Sequence, residues 1–292
     1  MRFKPVDVLT SAFAGLLCLA GLLRWNAVSN HRSVLFLAGA ALAPVVVATL
    51  RARFPHPGRA LEIFFDFYVI GCVLVVFDNL GPIIKAVNFE ERDGWLIAFD
   101  HALFGVDPTV ALERFASPLL SDILTVFYAL YYFHPIVLGA LFYADEKAGR
   151  GREFARYAFT IVFVFYVSYA CYFFMPAIGP RYAIRHAAPL PRGAISRVID
   201  DTLDKLEKNK CDAFPSGHTM VLVAILLEAR RRSTKTFWAF FPFALGLILA
   251  TVYCRYHYVA DVLAGMLLAF LTVPLGNAIY ARFEAHQGEE AA

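Results

Sequence analysis

Charged side chains are scarce in this chain of 292 residues: Asp, Glu, Lys and Arg make up 17% of it, while 59% is hydrophobic. A soluble globular protein carries more charge than this on its surface, and the mean hydropathy of +0.58 indicates the same. The shortage of charge argues against an ordinary soluble domain and predicts a protein that crosses a membrane several times.

Two further features are weak or missing. The net charge is only +3, and the basic residues lie in loops rather than along one face, which argues against a nucleic-acid partner. The five cysteines show no spacing typical of a metal site or a disulfide framework. Cys211 and Cys254 lie near the motifs described below, and their spacing leaves open whether they pair in an oxidising compartment.

The apolar residues fall into eight runs that predict membrane helices. We expect an all-α, polytopic membrane helix bundle, in which 1–59 contributes two N-terminal transmembrane helices. The first run lacks a small-residue cleavage site, so we interpret it as an uncleaved span. The sixth run is short for a full crossing. The runs are 8–23, 33–50, 61–80, 119–143, 157–175, 216–227, 237–254 and 258–281.

Three segments do not fit a span. Segment 81–115 is too charged to cross and too apolar for a solvated loop, so it predicts short helices lying in the membrane interface, over the lipid entrance. In the loop 183–212, the amphipathic pattern of 198–208 predicts a helix over the site. The polar tail 283–292 predicts disorder.

A polar turn, Phe214-Pro215-Ser216-Gly217-His218-Thr219, opens the sixth apolar run. Pro and Ser at a helix start leave backbone N–H groups free, and these groups together with the helix dipole favour a phosphate. Further along, His257 and Asp261 are four residues apart and would face the same way on a helix. The two stretches together predict a phosphate site with two histidines and a carboxylate.

The sequence Pro215-Ser216-Gly217-His218 and the spacing of His257 and Asp261 resemble the second and third motifs of the type 2 phosphatidic acid phosphatase superfamily. The stretch 251–265 most resembles the branch containing inositol phosphorylceramide synthase. The resemblance covers about 60–282 and implies a six-helix catalytic core. It also implies phosphoryl transfer through a phosphohistidine, with no metal and no other cofactor.

The resemblance and the chemistry together assign roles. His257 attacks phosphorus, Asp261 holds its far nitrogen, and His218 protonates the leaving alcohol. The phosphate oxygens are bound by Arg181, Ser216, Gly217 and Arg255. Two positions depart from the common motifs: Phe174 and Tyr182 replace the Lys and Pro around Arg181, and Thr251 replaces an Arg of the third motif. Arg255 substitutes for the latter only if the chain bends back there.

Other polar residues within apolar runs have alternative interpretations. Asp66 is either a participant in the mechanism or a hydrogen-bond partner of a neighbouring helix, and Asp78 lies at the interface. His134, beside Pro135, could be a third catalytic histidine, but a histidine at a proline kink more often satisfies freed backbone carbonyls.

Three functions compete. The first is hydrolysis of a lipid phosphate or pyrophosphate, and the second is transfer from a lipid-linked phosphodiester to an acceptor alcohol; both use the same phosphohistidine. The third is a non-catalytic transporter or scaffold, against which the presence of His218, His257 and Asp261 argues. A metal site made of those three residues is a rival that the nearby arginines disfavour.

Lysine and arginine counts predict the orientation. With eight spans, 14 of the 27 fall on the side of both termini, and seven of the other 13 lie between Arg181 and Lys210, where an anionic substrate explains them. The short basic loops are therefore expected in the cytoplasm, and the site on the extracytoplasmic face.

Overall fold

The computed structural model describes residues 3–88, 90–206 and 209–289, and this part of the chain contains helices and no strand. The helices are α1 Pro5–Leu23, α2 Arg32–Arg53, α3 Arg59–Val87, α4 Asp93–Phe104, α5 Pro108–Ala111, α6 Pro118–Ala129, α7 His134–Lys147, α8 Phe154–Phe174, α9 Pro180–Ala183, α10 Ala194–Leu206, α11 Gly217–Arg232, α12 Thr234–Tyr253 and α13 Val259–Glu289.

Six of these helices are long and apolar enough to cross a membrane: α1, α2, α3, α8, α12 and α13. The pair α6 and α7 makes a seventh candidate if it is counted as one bent span. Helix α11 has only 16 residues and is the most enclosed of the long helices, with Met220, Leu222 and Ala224 fully buried. The expectation of an all-α, polytopic membrane bundle is confirmed.

The bend between α6 and α7 measures 46° and lies at His134-Pro135. Proline cannot donate a backbone hydrogen bond, so a carbonyl one turn earlier loses its partner. The His134 Nδ1 atom lies 2.6 Å from the Leu130 carbonyl oxygen, and the ring packs against Phe240 and Phe243. The Leu130 carbonyl also accepts from the Phe133 N–H at 3.0 Å, so His134 adds a bond to a carbonyl at the bend, and neither interpretation of His134 is decided.

Ion pairs join the N-terminal helices to α3 at one end of the bundle. The fully buried Asp7 carboxylate accepts hydrogen bonds from Arg51 at 2.6 Å and from the Tyr68 hydroxyl at 2.6 Å. Lys4 lies 2.6 Å from Asp66. Asp66 therefore has the neighbouring-helix partner that one of its two interpretations predicted.

Helix α8 lies between the two largest hydrophobic clusters, one shared with α1 to α3 and the other with α7, α11 and α12. Near its start, Arg156 donates to Glu228 of α11 at 2.8 Å, and Asn277 of α13 donates to the same carboxylate at 3.1 Å. A buried charge costs free energy unless it is paired, and this network pairs it while joining three helices.

The end of the chain departs from the sequence prediction. Helix α13 continues to Glu289, so 283–289 is helical and not disordered, whereas 290–292 lies outside the described residues. The Tyr280 hydroxyl donates to Glu284 one turn later at 3.0 Å. Residues with good helix propensity follow the apolar segment. Because they are polar, a prediction based on hydropathy alone does not identify them as helical.

Candidate active site

The two candidate catalytic histidines, His218 and His257, lie in different parts of the fold, and their rings are in contact. His218 is the second residue of α11, and His257 lies in the loop between α12 and α13. The His218 Nδ1 and His257 Nε2 atoms are 3.2 Å apart. His257 thus precedes α13, and the prediction that it shares a helix with Asp261 was wrong because the helix begins only at Val259.

The far nitrogen of His257 faces two oxygens. Its Nδ1 lies 2.9 Å from the Ala213 carbonyl oxygen and 3.4 Å from Asp261 Oδ2. Both oxygens are acceptors, so Nδ1 carries the hydrogen and Nε2 presents its lone pair toward His218. Asp261 is fully buried and also accepts from the Tyr258 N–H at 2.9 Å. The sequence suggested Asp261 as the orienting group but gave no sign of Ala213.

Aromatic rings enclose His218. The centroids of Tyr128 and Tyr131 lie 4.6 Å and 4.3 Å from that of His218. Tyr128 also stacks on Tyr256, with the rings 4.4 Å apart and 15° from parallel. The Nε2 atom of His218 is buried and makes no hydrogen bond. The ring is therefore held by packing, with Nδ1 directed at His257.

A small polar cavity of about 50 Å³ adjoins the histidines. Its walls include both imidazoles and three cationic side chains, which come from separate segments of the chain: Arg181, Lys210 and Arg255. Cationic donors converging on a histidine pair suit an anion with several oxygens. Lys210 was not among the candidate site residues, although the sequence analysis included it in the basic group 181–210 that an anionic substrate explains.

Arg181 lies in the short helix α9 and forms a bidentate pair with Asp204 of α10, at 3.0 Å and 3.1 Å. Burial lowers the pKa of the guanidinium, but Tyr256 and Asp204 outweigh that effect and raise it above its ordinary value. The backbone N–H of Arg181 donates to the Arg255 carbonyl at 2.8 Å. The loops bearing the two arginines are thus bonded directly.

Arg255 has a φ of 65°, in the left-handed region that few residues other than glycine adopt. The chain does bend back at this position, and the side chain reaches the polar cavity. Its guanidinium donates to the Ala188 carbonyl at 3.0 Å and to Glu113 at 3.2 Å, while Nε is buried without a hydrogen bond. Burial lowers the pKa of this guanidinium.

Ser216 and Gly217 lie beside this cavity rather than in its wall. The Ser216 hydroxyl oxygen caps α11 by accepting from the Thr219 N–H at 3.3 Å. A Cβ on Gly217 would lie 2.6 Å from the Tyr172 hydroxyl, so a larger residue would collide with α8. The structure shows these two residues in capping and packing, and their binding of phosphate stays a prediction.

On its other side His218 borders an apolar groove between α3, α7 and α8, with a volume of about 190 Å³. The lining is almost entirely hydrocarbon and aromatic, with Val73, Leu74, Ile161 and Phe165 among its members. Leu74 is also exposed on the outside of the bundle. The groove therefore reaches the outer surface of the bundle at Leu74.

A family model described as the PAP2 superfamily matches residues 94–275, which is more than half of the chain and includes every candidate site residue. The chain belongs to the PAP2 superfamily. No curated protein and no solved structure matches it.

The site of this PAP2 chain does not present its residues as metal ligands. His257 turns one nitrogen to Asp261 and the other to His218, so the three side chains do not converge on one point. Within 3–88, 90–206 and 209–289, no group of three or more His, Cys, Asp or Glu side chains is arranged to hold a metal ion. Cys211 and Cys254 are buried free thiols.

Proposed function

We propose that this protein is an integral-membrane, metal-independent phosphoesterase that releases phosphate from a lipid phosphate or pyrophosphate through a phosphohistidine. The observation that carries the proposal is the position of His218, which borders the polar cavity on one side and the apolar groove on the other. A phosphate ester with a long hydrocarbon chain has a polar phosphate that suits the cavity and an apolar chain that suits the groove. The ester bond that is broken joins these two parts and would lie beside His218.

The first step forms a bond between phosphorus and His257 Nε2, whose lone pair is available because Nδ1 carries the hydrogen. The ester bond to the leaving oxygen breaks, and His218, protonated in the complex with substrate, gives that oxygen its proton. The imidazolium formed on His257 is stabilised by Asp261 at 3.4 Å. The 3.2 Å contact between the histidines opens to admit the phosphoryl group.

The second step reverses the proton transfer. His218, now neutral, takes a proton from water as the water oxygen attacks the phosphohistidine. Phosphate leaves, and both histidines return to their starting state. Arg181 and Arg255 neutralise the charge of the three non-bridging oxygens in both steps.

The groove supports a lipid substrate. Its wall is apolar from Asp66 at the far end to His218, and apolar walls favour the hydrocarbon chain over water. Its opening beside Leu74 gives a lipid a path from the bilayer that avoids the aqueous loops.

We place the site on the extracytoplasmic face. Arg150 and Arg232 both pair with Asp145, and Lys147 pairs with Glu62. Arg232 ends α11 and His218 is its second residue, so these basic residues gather at the end of that helix opposite the histidines. Basic loops of membrane proteins remain in the cytoplasm.

A lipid head-group phosphotransferase is the second candidate, favoured by the resemblance of 251–265 to the inositol phosphorylceramide synthase branch. Its donor is a lipid-linked phosphodiester, so the phosphohistidine would carry a head group, and in the second step an acceptor hydroxyl replaces water.

The test incubates purified protein with phosphorus-labelled diacyl and polyprenyl phosphates and with a labelled lipid-linked phosphodiester, each with and without acceptor alcohols such as inositol or ceramide. Label released as inorganic phosphate in the absence of acceptor supports the hydrolase. Label that moves only onto an acceptor supports the transferase. Label that remains on every substrate, with protein whose helical content is intact, refutes both and leaves the non-catalytic scaffold.

A further inference from the structure

Helix α4 presents two buried carboxylates to the loops that carry the candidate catalytic groups. Asp93 and Asp100 are 7% and 1% exposed, whereas Trp95, Phe99 and Leu103 on the other side of the helix are at least half exposed. The helix is amphipathic, but its buried face carries two carboxylates, Asp93 and Asp100, in addition to apolar side chains. Such carboxylates cost free energy to bury unless several donors satisfy them.

Asp100 binds the start of α13. Its Oδ2 accepts from the Val259 N–H at 2.9 Å, and its Oδ1 accepts from the Ala260 N–H at 2.9 Å. These are the first two residues of the helix and follow His257 almost directly. Helix N-terminal N–H groups have no partner within the helix, and a carboxylate there also favours the dipole. Asp100 therefore fixes where α13 begins.

Asp93 binds the loop before Arg181. Its two oxygens accept from the Ile178 N–H at 3.0 Å and from the Gly179 N–H at 2.9 Å, and one of them also accepts from the Tyr258 hydroxyl at 2.8 Å. Gly179 has a φ of 86°, and a Cβ there would lie 2.6 Å from the Tyr256 carbonyl oxygen. The Asp93 carboxylate thus binds both the loop before Arg181 and the loop that contains His257. These two loops are also joined by the hydrogen bond from the Arg181 N–H to the Arg255 carbonyl.

We propose that Asp93 and Asp100 are positioning residues, which set the distance between the phosphate-binding Arg181 and the nucleophile His257. This inference rests on the proposed function for those two groups. It assigns α4 a task beyond covering a lipid entrance: the helix holds both halves of the site from the side opposite the cavity. Asp100 acts through His257, and Asp93 acts mainly through Arg181.

The two residues therefore have different kinetic signatures. An amide cannot accept from both N–H groups as a carboxylate does, so Asp100→Asn displaces the start of α13. We expect kcat to fall about 10- to 100-fold with KM changed less than about threefold, since small misplacement of a reacting group is costly. Asp93→Asn loosens Arg181, and we expect KM and the inhibition constant of inorganic phosphate to rise about 10-fold.

Hydrogen exchange of the purified full-length protein supplies a readout that does not need activity. Asp100→Asn should speed exchange in peptides covering 256–264, and Asp93→Asn in those covering 177–183. The matched control is Glu90→Gln, which removes one negative charge from an exposed side chain just before α4 and should change neither region.

Equal acceleration of exchange in all three variants overturns the inference, as does unchanged exchange in the two Asp variants. A loss of activity that only tracks the folded fraction, with no split between kcat and KM, also overturns it. If the wild-type protein releases phosphate from no lipid, the proposed function fails, and the exchange measurement still decides whether α4 holds these loops.

Discussion

Asp204 and Arg181 form a bidentate ion pair across the polar cavity, with oxygen–nitrogen distances of 3.0 Å and 3.1 Å. In the proposed function Arg181 binds phosphate, and the carboxylate occupies donors that the phosphate group would use, so we expect substrate to displace it. Both side chains are partly exposed, and ion pairs of that kind contribute about 0.2–1 kcal/mol.

Removing this competitor should tighten anion binding. We expect Asp204→Asn to lower the inhibition constant of inorganic phosphate by up to about fivefold. A free energy of about 1 kcal/mol for the Arg181–Asp204 ion pair corresponds to a change of that size in affinity. The matched control is Asp201→Asn on the same helix, where Asp201 pairs with Arg192 outside the cavity. Equal constants for the two variants would show that Asp204 does not compete with phosphate.

The histidines should be separable by covalent trapping. We expect His257→Ala and His218→Ala each to lower turnover more than about 10³-fold, since residues that act as a unit fail together. Quenching the wild type during turnover with alkaline detergent should leave label on His257 alone, and this label should be stable in base and lost in acid. Label on a serine, or near-normal turnover by His257→Ala, contradicts the phosphohistidine mechanism.

Metal removal should have little effect. Because no donor set converges at the histidines, we expect activity to stay within about twofold of its starting value after prolonged treatment with a strong chelator. The measurement is phosphate release before and after chelation, followed by addition of divalent metals. Activity that is abolished and then restored by one metal would contradict the proposal.

The groove should govern chain recognition but not chemistry. Leu74→Trp places a bulky ring in the groove from the exposed side of α3, and we expect KM for a long-chain lipid phosphate to rise about 10-fold. KM for a short, water-soluble phosphate ester should stay unchanged. Ile63→Trp, also exposed on α3 but outside the groove, is the control. An equal rise for both substrates would place the hydrocarbon chain elsewhere.

Orientation can be tested in intact cells. In a variant without its native cysteines, we expect a cysteine at Ala187 to react with a membrane-impermeant maleimide, because that exposed loop lies beside the site. Cysteines at the exposed Ala148 and Thr234 should react only after the cells are opened. The reverse pattern would place the site in the cytoplasm.

Local features were predictable from the sequence because each depends on neighbouring residues. Hydropathy located the long helices, and Pro135 marked the bend between α6 and α7. The amphipathic segment 198–208 was predicted as a helix, and the structure has α10 over Ala194–Leu206, while 207–208 lie outside the described residues. The helical ending past residue 282 was missed because it lacks the apolar signal.

The sequence by itself determined the class of fold, the family motifs and the pair of histidines. The tertiary structure alone decided that His257 precedes its helix, that Ala213 holds its far nitrogen, and that Asp204 faces Arg181. It also decided that Asp100 caps a helix 159 residues away. Contacts of that separation leave no periodic trace in the sequence, because they depend on how whole helices pack against one another rather than on local preference.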